Sequence, residues 1–213
     1  MAPRTLVLGF GGNAWNADAL ALFLRERHRQ ADIVAFHFRG YPPSDGAPSA
    51  EALLADALVV HDSVRDRFAP DRLVAVGFSL GSGVAAHLAS RRPVDGLVLV
   101  SPFDSMAALG SGHYPWLPIR WLLRHRMTTA VYVGATAAPV ALIAAGADTL
   151  VPPERTAPVR TAARCLVFDR TIDRADHIDL YRHPAFAGAM AEALVRIGDT
   201  WAAGTGRAPT PGG

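Results

Sequence analysis

Residues 73 to 83 read Leu-Val-Ala-Val-Gly-Phe-Ser-Leu-Gly-Ser-Gly. A valine-rich apolar run ends at Gly77, and a helix-compatible run from Val84 to Ala89 follows just after Gly83. Between them, Gly77-Phe78-Ser79-Leu80-Gly81 is G-x-S-x-G in a strand–turn–helix setting. A backbone that turns this tightly leaves no room for a Cβ two residues to either side of the serine, and glycines stand at both places. The turn displays the Ser79 hydroxyl at its tip. The helix behind aims its first N–H groups, which lack intrahelical partners, at any negative charge that develops there. Ser79 is therefore a candidate nucleophile. An ordinary strand–helix turn with a capping serine would use the same letters, so the rest of the chain has to decide.

Apolar runs at Leu6–Phe10, Ile33–Phe38, Leu73–Val76, Gly96–Val100, Val140–Ala144 and Leu166–Phe168 read as strands. Helical patterns alternate with them: residues 17 to 29, a Ser49-capped helix to about Phe68, Val84–Ser90, a helix opening at Pro153 and Glu154, and Ala185–Trp201. The segment from 103 to 129 is irregular and aromatic, with a helix expected near Ile119–Arg126. The strands are continuous apolar runs, as in a parallel sheet covered on both faces. The expected fold is α/β: a three-layer α/β/α sandwich around a mostly parallel sheet of about six strands. Residues 1–203 form the single expected domain, and the Gly- and Pro-rich stretch 204–213 reads as a disordered tail.

Half of the 213 residues are hydrophobic and 19% are charged, enough for a substantial core. All 21 basic residues are arginine, spread along the chain without a cluster, so no nucleic-acid partner is expected. The single cysteine, Cys165, excludes an internal disulfide, and its place in the expected strand Cys165-Leu166-Val167-Phe168 suits a buried structural thiol. The apolar region Ala130–Ala147 is broken by Gly134 and Pro139, so no membrane span is expected. Met1-Ala2-Pro3-Arg4 leads straight into a strand and does not read as a signal peptide, which makes the cytoplasm the default location. No histidine pair has the spacing of a metal motif such as H-E-x-x-H, and no metal or organic cofactor is implied. His28, His61, His87, His125 and His183 read as surface or packing residues.

A hydroxyl is a poor nucleophile without a base, and the base needs an acid to orient it. On a parallel sheet reactive groups gather at the carboxyl ends of the strands. Asp148 follows the Val140–Ala144 strand, and His177 follows the last strand. Asp176 and Asp179 flank His177, but only Asp148 lies at a strand's carboxyl end. The order Ser79, Asp148, His177 is that of the α/β-hydrolase nucleophile, acid and base. An oxyanion hole needs two backbone N–H donors. Leu80 is expected to supply one and the Gly11-Gly12-Asn13 loop the other, from Asn13 first and Gly12 second.

These residues resemble the α/β-hydrolase superfamily, in particular small cap-poor serine hydrolases with a His-Gly-Asn-Ala oxyanion loop. The resemblance rests on Gly11-Gly12-Asn13-Ala14, on Phe38-Arg39-Gly40-Tyr41-Pro42-Pro43-Ser44, and on the elbow Gly77 to Gly83. It extends through Ser101-Pro102-Phe103, His113-Tyr114-Pro115-Trp116 and Gly146-Ala147-Asp148-Thr149-Leu150-Val151-Pro152. It implies Ser79, Asp148 and His177 as catalytic residues and cleavage of an ester, thioester or similar acyl bond. Three departures stand out. Gly11 replaces the usual histidine, and Asp176 replaces the glycine before the histidine. The chain also opens at what would be the third strand, so a smaller sheet with an uncovered edge is expected, making a homodimer plausible. The short 103–129 segment offers little cap, and an open site suits a small ester or an acyl group on a carrier. Tyr114 and Trp116 are candidate substrate-binding residues.

Two other readings compete. Gly9-Phe10-Gly11-Gly12-Asn13-Ala14 matches the dinucleotide fingerprint G-x-G-x-x-A, with Arg39 placed to meet a 2′-phosphate. That reading leaves the elbow, Asp148 and His177 unused. A hydrolase-like scaffold without activity that binds a partner is the second.

Overall fold

The computed structural model of the protein describes residues 3–13, 15–113 and 127–205. Six strands form one sheet: β1 (Thr5–Phe10), β2 (Asp32–Ala35), β3 (Arg72–Phe78), β4 (Gly96–Val100), β5 (Val140–Ala145) and β6 (Leu166–Ile172). Their order across the sheet is β2-β1-β3-β4-β5-β6, and every neighbouring pair is parallel. The helices are α1 (Ala17–Arg27), α2 (Ala50–Phe68), α3 (Leu80–Arg91), α4 (Met106–His113), α5 (Thr129–Ala135), α6 (Pro153–Ala162) and α7 (Pro184–Thr205), with a 3-10 turn at Asp179–Arg182.

The inner strands β1, β3, β4 and β5 bury both faces, which is why they read as unbroken apolar runs. Leu6, Leu8, Leu73, Ala75, Leu97, Leu99 and Leu142 face one core, shared with Leu53 of α2, Leu88 of α3, Val133 of α5 and Val159 of α6. The alternate residues Val7, Val74, Val76, Val98, Val100 and Ile143 face a second core with Leu20 and Leu24 of α1 and Phe186 and Met190 of α7. This is the expected three-layer sandwich.

Local chemistry sets the element ends. The Asn16 side chain accepts the Asp18 and Ala19 N–H groups at the start of α1, and Ser49 Oγ accepts the Ala52 N–H at the start of α2. α2 stops at Ala69 in the left-handed region, with Pro70 beyond it.

Strand β2 stops at Ala35, short of the expected Phe38, because its pairing with β1 ends at Gly9–Ala35. β6 runs on to Ile172, since β5 pairs with it as far as Ala145. Cys165 lies just outside β6 and is partly exposed rather than buried. Helix α7 continues through Thr205, two residues into the stretch expected as a tail; residues 206–213 lie outside the described residues. The whole of the expected Ile119–Arg126 helix lies outside them as well.

The topology also locates the site. The order reverses between β1 and β3, so the chain leaves their carboxyl ends in opposite directions and opens a crevice between the Gly11–Asn13 loop and Ser79.

Candidate active site

Strand β3 leads directly into α3 through Ser79, whose backbone sits at φ 49° and ψ −114°. This is a strained conformation for a residue with a side chain. The Ser79 N–H donates to Val100 O of β4 at 2.8 Å, and the Ser79 carbonyl accepts the Ser82 N–H at 2.9 Å and the Ser82 hydroxyl at 2.6 Å. Ser82 thus sits in the first turn of α3, bonded back to the Ser79 carbonyl. A Cβ on Gly77 would run into the Gly81 carbonyl and come within 2.7 Å of Ser82 Cα. One on Gly81 would strike the Phe10 carbonyl at the end of β1. Both elbow glycines are required by close backbone approach.

Asp148 and His177 come to the same place from the far side of the sheet. β5 ends at Ala145, and Gly146 N–H donates to Ile172 O while Ala147 N–H donates to Ala175 O, both at 2.9 Å. These bonds tie the Asp148 loop to the His177 loop. Asp148 is 4% exposed, and its Oδ1 accepts the Leu150 N–H at 3.0 Å and the Val151 N–H at 2.7 Å. Its Oδ2 lies 2.8 Å from His177 Nδ1, and His177 Nε2 lies 3.0 Å from Ser79 Oγ. A carboxylate only accepts, so Nδ1 carries the ring proton and Nε2 is left to accept from the serine hydroxyl.

Asp176, the departure before the histidine, is exposed and bonds within its own turn. Its Oδ1 accepts the Ile178 and Asp179 N–H groups at 2.8 and 2.7 Å. Those backbone bonds, from Asp179 and Ile178, hold its carboxyl below the ordinary range. Asp176 therefore shapes the turn that presents His177. Among the described residues the carboxylate on the His177 ring is Asp148 alone.

Facing Ser79 across the crevice, Gly12 lies so close that an added Cβ would sit 3.5 Å from Ser79 Cβ and 3.4 Å from Phe78 O. Asn13 follows it, exposed, with its side-chain Oδ1 held by the Tyr41 hydroxyl at 2.7 Å. Leu80 is the first residue of α3, so its N–H is among those the helix cannot satisfy. Gly12 and Leu80 thus lie beside the serine, and Asn13 continues the Gly12 loop. Ala14, Tyr114 and Trp116 lie outside the described residues. Arg39 Nε donates to Asp56 Oδ2 at 2.9 Å, and its Nη2 pairs with Asp56 Oδ1, so it braces the start of its loop against α2. No group of three or more His, Cys, Asp or Glu among the described residues is arranged to hold a metal ion, and no described helix is long and apolar enough to cross a membrane.

Sequence reading overlooked an aromatic cluster behind the elbow. The Trp15 ring packs against Phe78 at 5.0 Å, Phe23 at 5.2 Å and Tyr181 at 5.2 Å. Burial raises the Tyr181 phenol pKa, and the nearby Asp148 carboxylate adds to the shift. The available signal was position: Trp15 lies two residues after Asn13, and Tyr181 four after His177. Two large apolar side chains stand exposed on the site loops, Leu150 at 48% and Ile178 at 73%.

Comparison with known proteins bears on the fold that carries this site. The chain is 42% identical over 149 residues to an uncharacterized protein of Mycobacterium tuberculosis H37Rv, covering 68% of this chain and 53% of that protein. It is 32% identical over 138 residues to the lysophosphatidylserine lipase ABHD12 of Danio rerio, covering 56% of this chain and 36% of the lipase. It therefore spans about half the length of the first relative and about a third of the second. Among solved structures, the Pyrococcus furiosus esterase Pf2001 superposes with a TM-score of 0.69 at 20% identity, covering 92% of this chain and 84% of the esterase. Est1E of Butyrivibrio proteoclasticus, solved with ferulic acid, gives 0.73 at 16% identity, covering 92% and 90%. These two show the fold. A family model described as alpha/beta hydrolase fold matches residues 6–120, a stretch that opens in β1 and contains the whole elbow. Model, sheet order and elbow agree, and the chain belongs to the alpha/beta hydrolase fold family.

Proposed function

We propose that the protein is a serine hydrolase that cleaves an ester, thioester or related acyl bond through an acyl-enzyme intermediate. The observation that carries this reading is the unbroken hydrogen-bond chain from Asp148 Oδ2 through His177 to Ser79 Oγ. In the first half-reaction His177 Nε2 takes the Ser79 proton as Oγ attacks the acyl carbonyl carbon. Asp148 keeps Nδ1 protonated and stabilises the imidazolium that forms. The negative oxygen is met by backbone N–H groups of Leu80 and of Asn13 or Gly12, each worth ~10²–10³ in rate. The imidazolium then protonates the leaving alkoxide or thiolate. In the second half-reaction His177 takes a proton from water, the resulting hydroxide attacks the acyl carbon, and Ser79 leaves with that proton.

The substrate is an acyl ester of a small molecule or an acyl group on a carrier. Kinship with a lipase named for lysophosphatidylserine, and the exposed Leu150 and Ile178 beside the triad, favour an acyl group with an apolar chain. The test is labelling by a fluorophosphonate probe, comparing wild type with Ser79→Ala and His177→Ala. Labelling of wild type that disappears in both variants is expected. A well-folded wild-type protein that takes no label would leave a scaffold that binds without catalysis.

A further inference from the structure

A groove of about 490 Å³ opens on the α1–α7 face, behind the nucleophile elbow. Its apolar surface is Trp15, Phe23 and Tyr181, and its polar groups are Arg27, Arg182 and His183. No acidic residue lines it. Arg27 lies flat on the Phe23 ring, 3.4 Å from its centroid, and Nη1 donates to Phe23 O at 2.9 Å and approaches Glu26 Oε2 at 3.5 Å. Its Nε is buried and has no partner. Arg182 is exposed and has no acidic partner among the described residues. His183 Nδ1 accepts the Ala185 N–H at 3.2 Å, so in the neutral ring Nε2 is the N–H donor. Helix α7, 22 residues long, begins at Pro184 on the rim with no acid in its first turn, so the positive end of its peptide dipoles faces the same space.

The charged side chains here are both arginines, His183 Nε2 donates, and Trp15 and Tyr181 offer aromatic surface beside them. A neutral lipid tail would leave the exposed Arg182 and the start of α7 without a counter-charge, and a bare inorganic anion would leave the aromatic surface wet. We infer that this groove is a binding site for a carboxylate carried on an apolar chain, with the carboxylate between Arg27 and Arg182 and the chain on Trp15, Phe23 and Tyr181. The site is separate from the serine, since the Phe78 ring, one residue before Ser79, closes the groove's inner wall against Trp15 and Tyr181. It does not depend on acyl-transfer activity.

The test is isothermal titration of the protein with decanoate, decanol and inorganic phosphate, repeated on Arg182→Gln and Ala187→Glu. Both substitutions are at exposed positions, so folding is preserved, and the second sets a negative charge on the rim. Decanoate is expected to bind at least about tenfold more tightly than decanol or phosphate, the value of one charge-assisted hydrogen bond. Arg182→Gln should weaken decanoate about tenfold and leave decanol unchanged, and Ala187→Glu should abolish decanoate binding. Equal affinity for decanoate and decanol, equal affinity for decanoate and phosphate, or decanoate binding that ignores both substitutions would each overturn the assignment.

Discussion

Replacing Asp148 by Asn changes one atom's chemistry and leaves the shape of the site. Two backbone N–H groups, from Leu150 and Val151, already point at Oδ1. The amide must therefore place its oxygen there and its NH₂ toward His177, at the place of the oxygen now 2.8 Å from Nδ1. Facing a donor, Nδ1 has to accept, and the ring proton moves to Nε2. Nε2 then points a proton at Ser79 Oγ and has no lone pair with which to remove the serine's own. The base is present and correctly placed in the wrong tautomer. For a triad this costs about 10⁴ in kcat, or ~5.4 kcal/mol of activation free energy. Folding should lose only about 1 kcal/mol, since no buried donor is stranded. The assay is steady-state hydrolysis of p-nitrophenyl butyrate near neutral pH, with circular dichroism to verify the fold. Asp176→Asn is the control, because that carboxylate serves its own turn, and it should retain activity within a few-fold. A folded Asp148→Asn variant within tenfold of wild type would refute the assignment of the acid. Loss in Asp176→Asn instead would move the role to the neighbouring carboxylate.

Two further outcomes concern the fold. Gly81→Ala should destabilise by about 1–3 kcal/mol in urea denaturation, because the new methyl meets the Phe10 and Gly11 carbonyls. Gly188→Ala, on α7 with nothing within 4 Å, should stabilise by about 0.5–1 kcal/mol; equal effects at the two sites would sink the steric argument. His28 is buried, and desolvation, helped by Arg27, lowers its pKa from 6.5 to about 4. The unfolded chain therefore takes up this proton first. The stability contribution is complete above pH 6.5 and is lost as pH falls toward 4. Between pH 7 and pH 5 denaturant melts should show a loss of about 2 kcal/mol that His28→Gln removes, and an unchanged loss in that variant would rule out His28 as its source.

How much of this was legible in the sequence follows from where local chemistry is enough. The elbow was legible because two glycines and a serine at fixed spacing have few other uses between a strand and a helix. The six strands were legible because a sheet covered on both faces writes itself as apolar runs. α4 and α5 were not: Met106–His113 is built of small residues without an apolar stripe, and Thr129–Ala135 merges into the apolar run that becomes β5. The outer half of β6, Asp169-Arg170-Thr171, is exposed and polar, so only its pairing with β5 marks it as strand. For the candidate site, chain order selected Ser79, Asp148 and His177, whereas the use of Asp176 in its own turn needed coordinates. The aromatic–arginine groove is assembled from residues 15 to 27 and 181 to 187, which no local pattern connects.

The hydrogen-bond ladder of the sheet runs past its strands. Ser79 N–H reaches Val100 O, Ser101 N–H reaches Ile143 O, and Gly146 N–H reaches Ile172 O. Ser79 and Asp148 therefore follow strands two places apart, β3 and β5, with β4 between them. Two strand spacings amount to roughly 9.5 Å. One imidazole ring with a hydrogen bond at each end, 2.8 and 3.0 Å, spans most of that gap. Adjacent strands would crowd the ring and three spacings would outrun it. The histidine works as a gauge block between Ser79 and Asp148, in a spacing that strand pairing and the bonded loops beyond it set together.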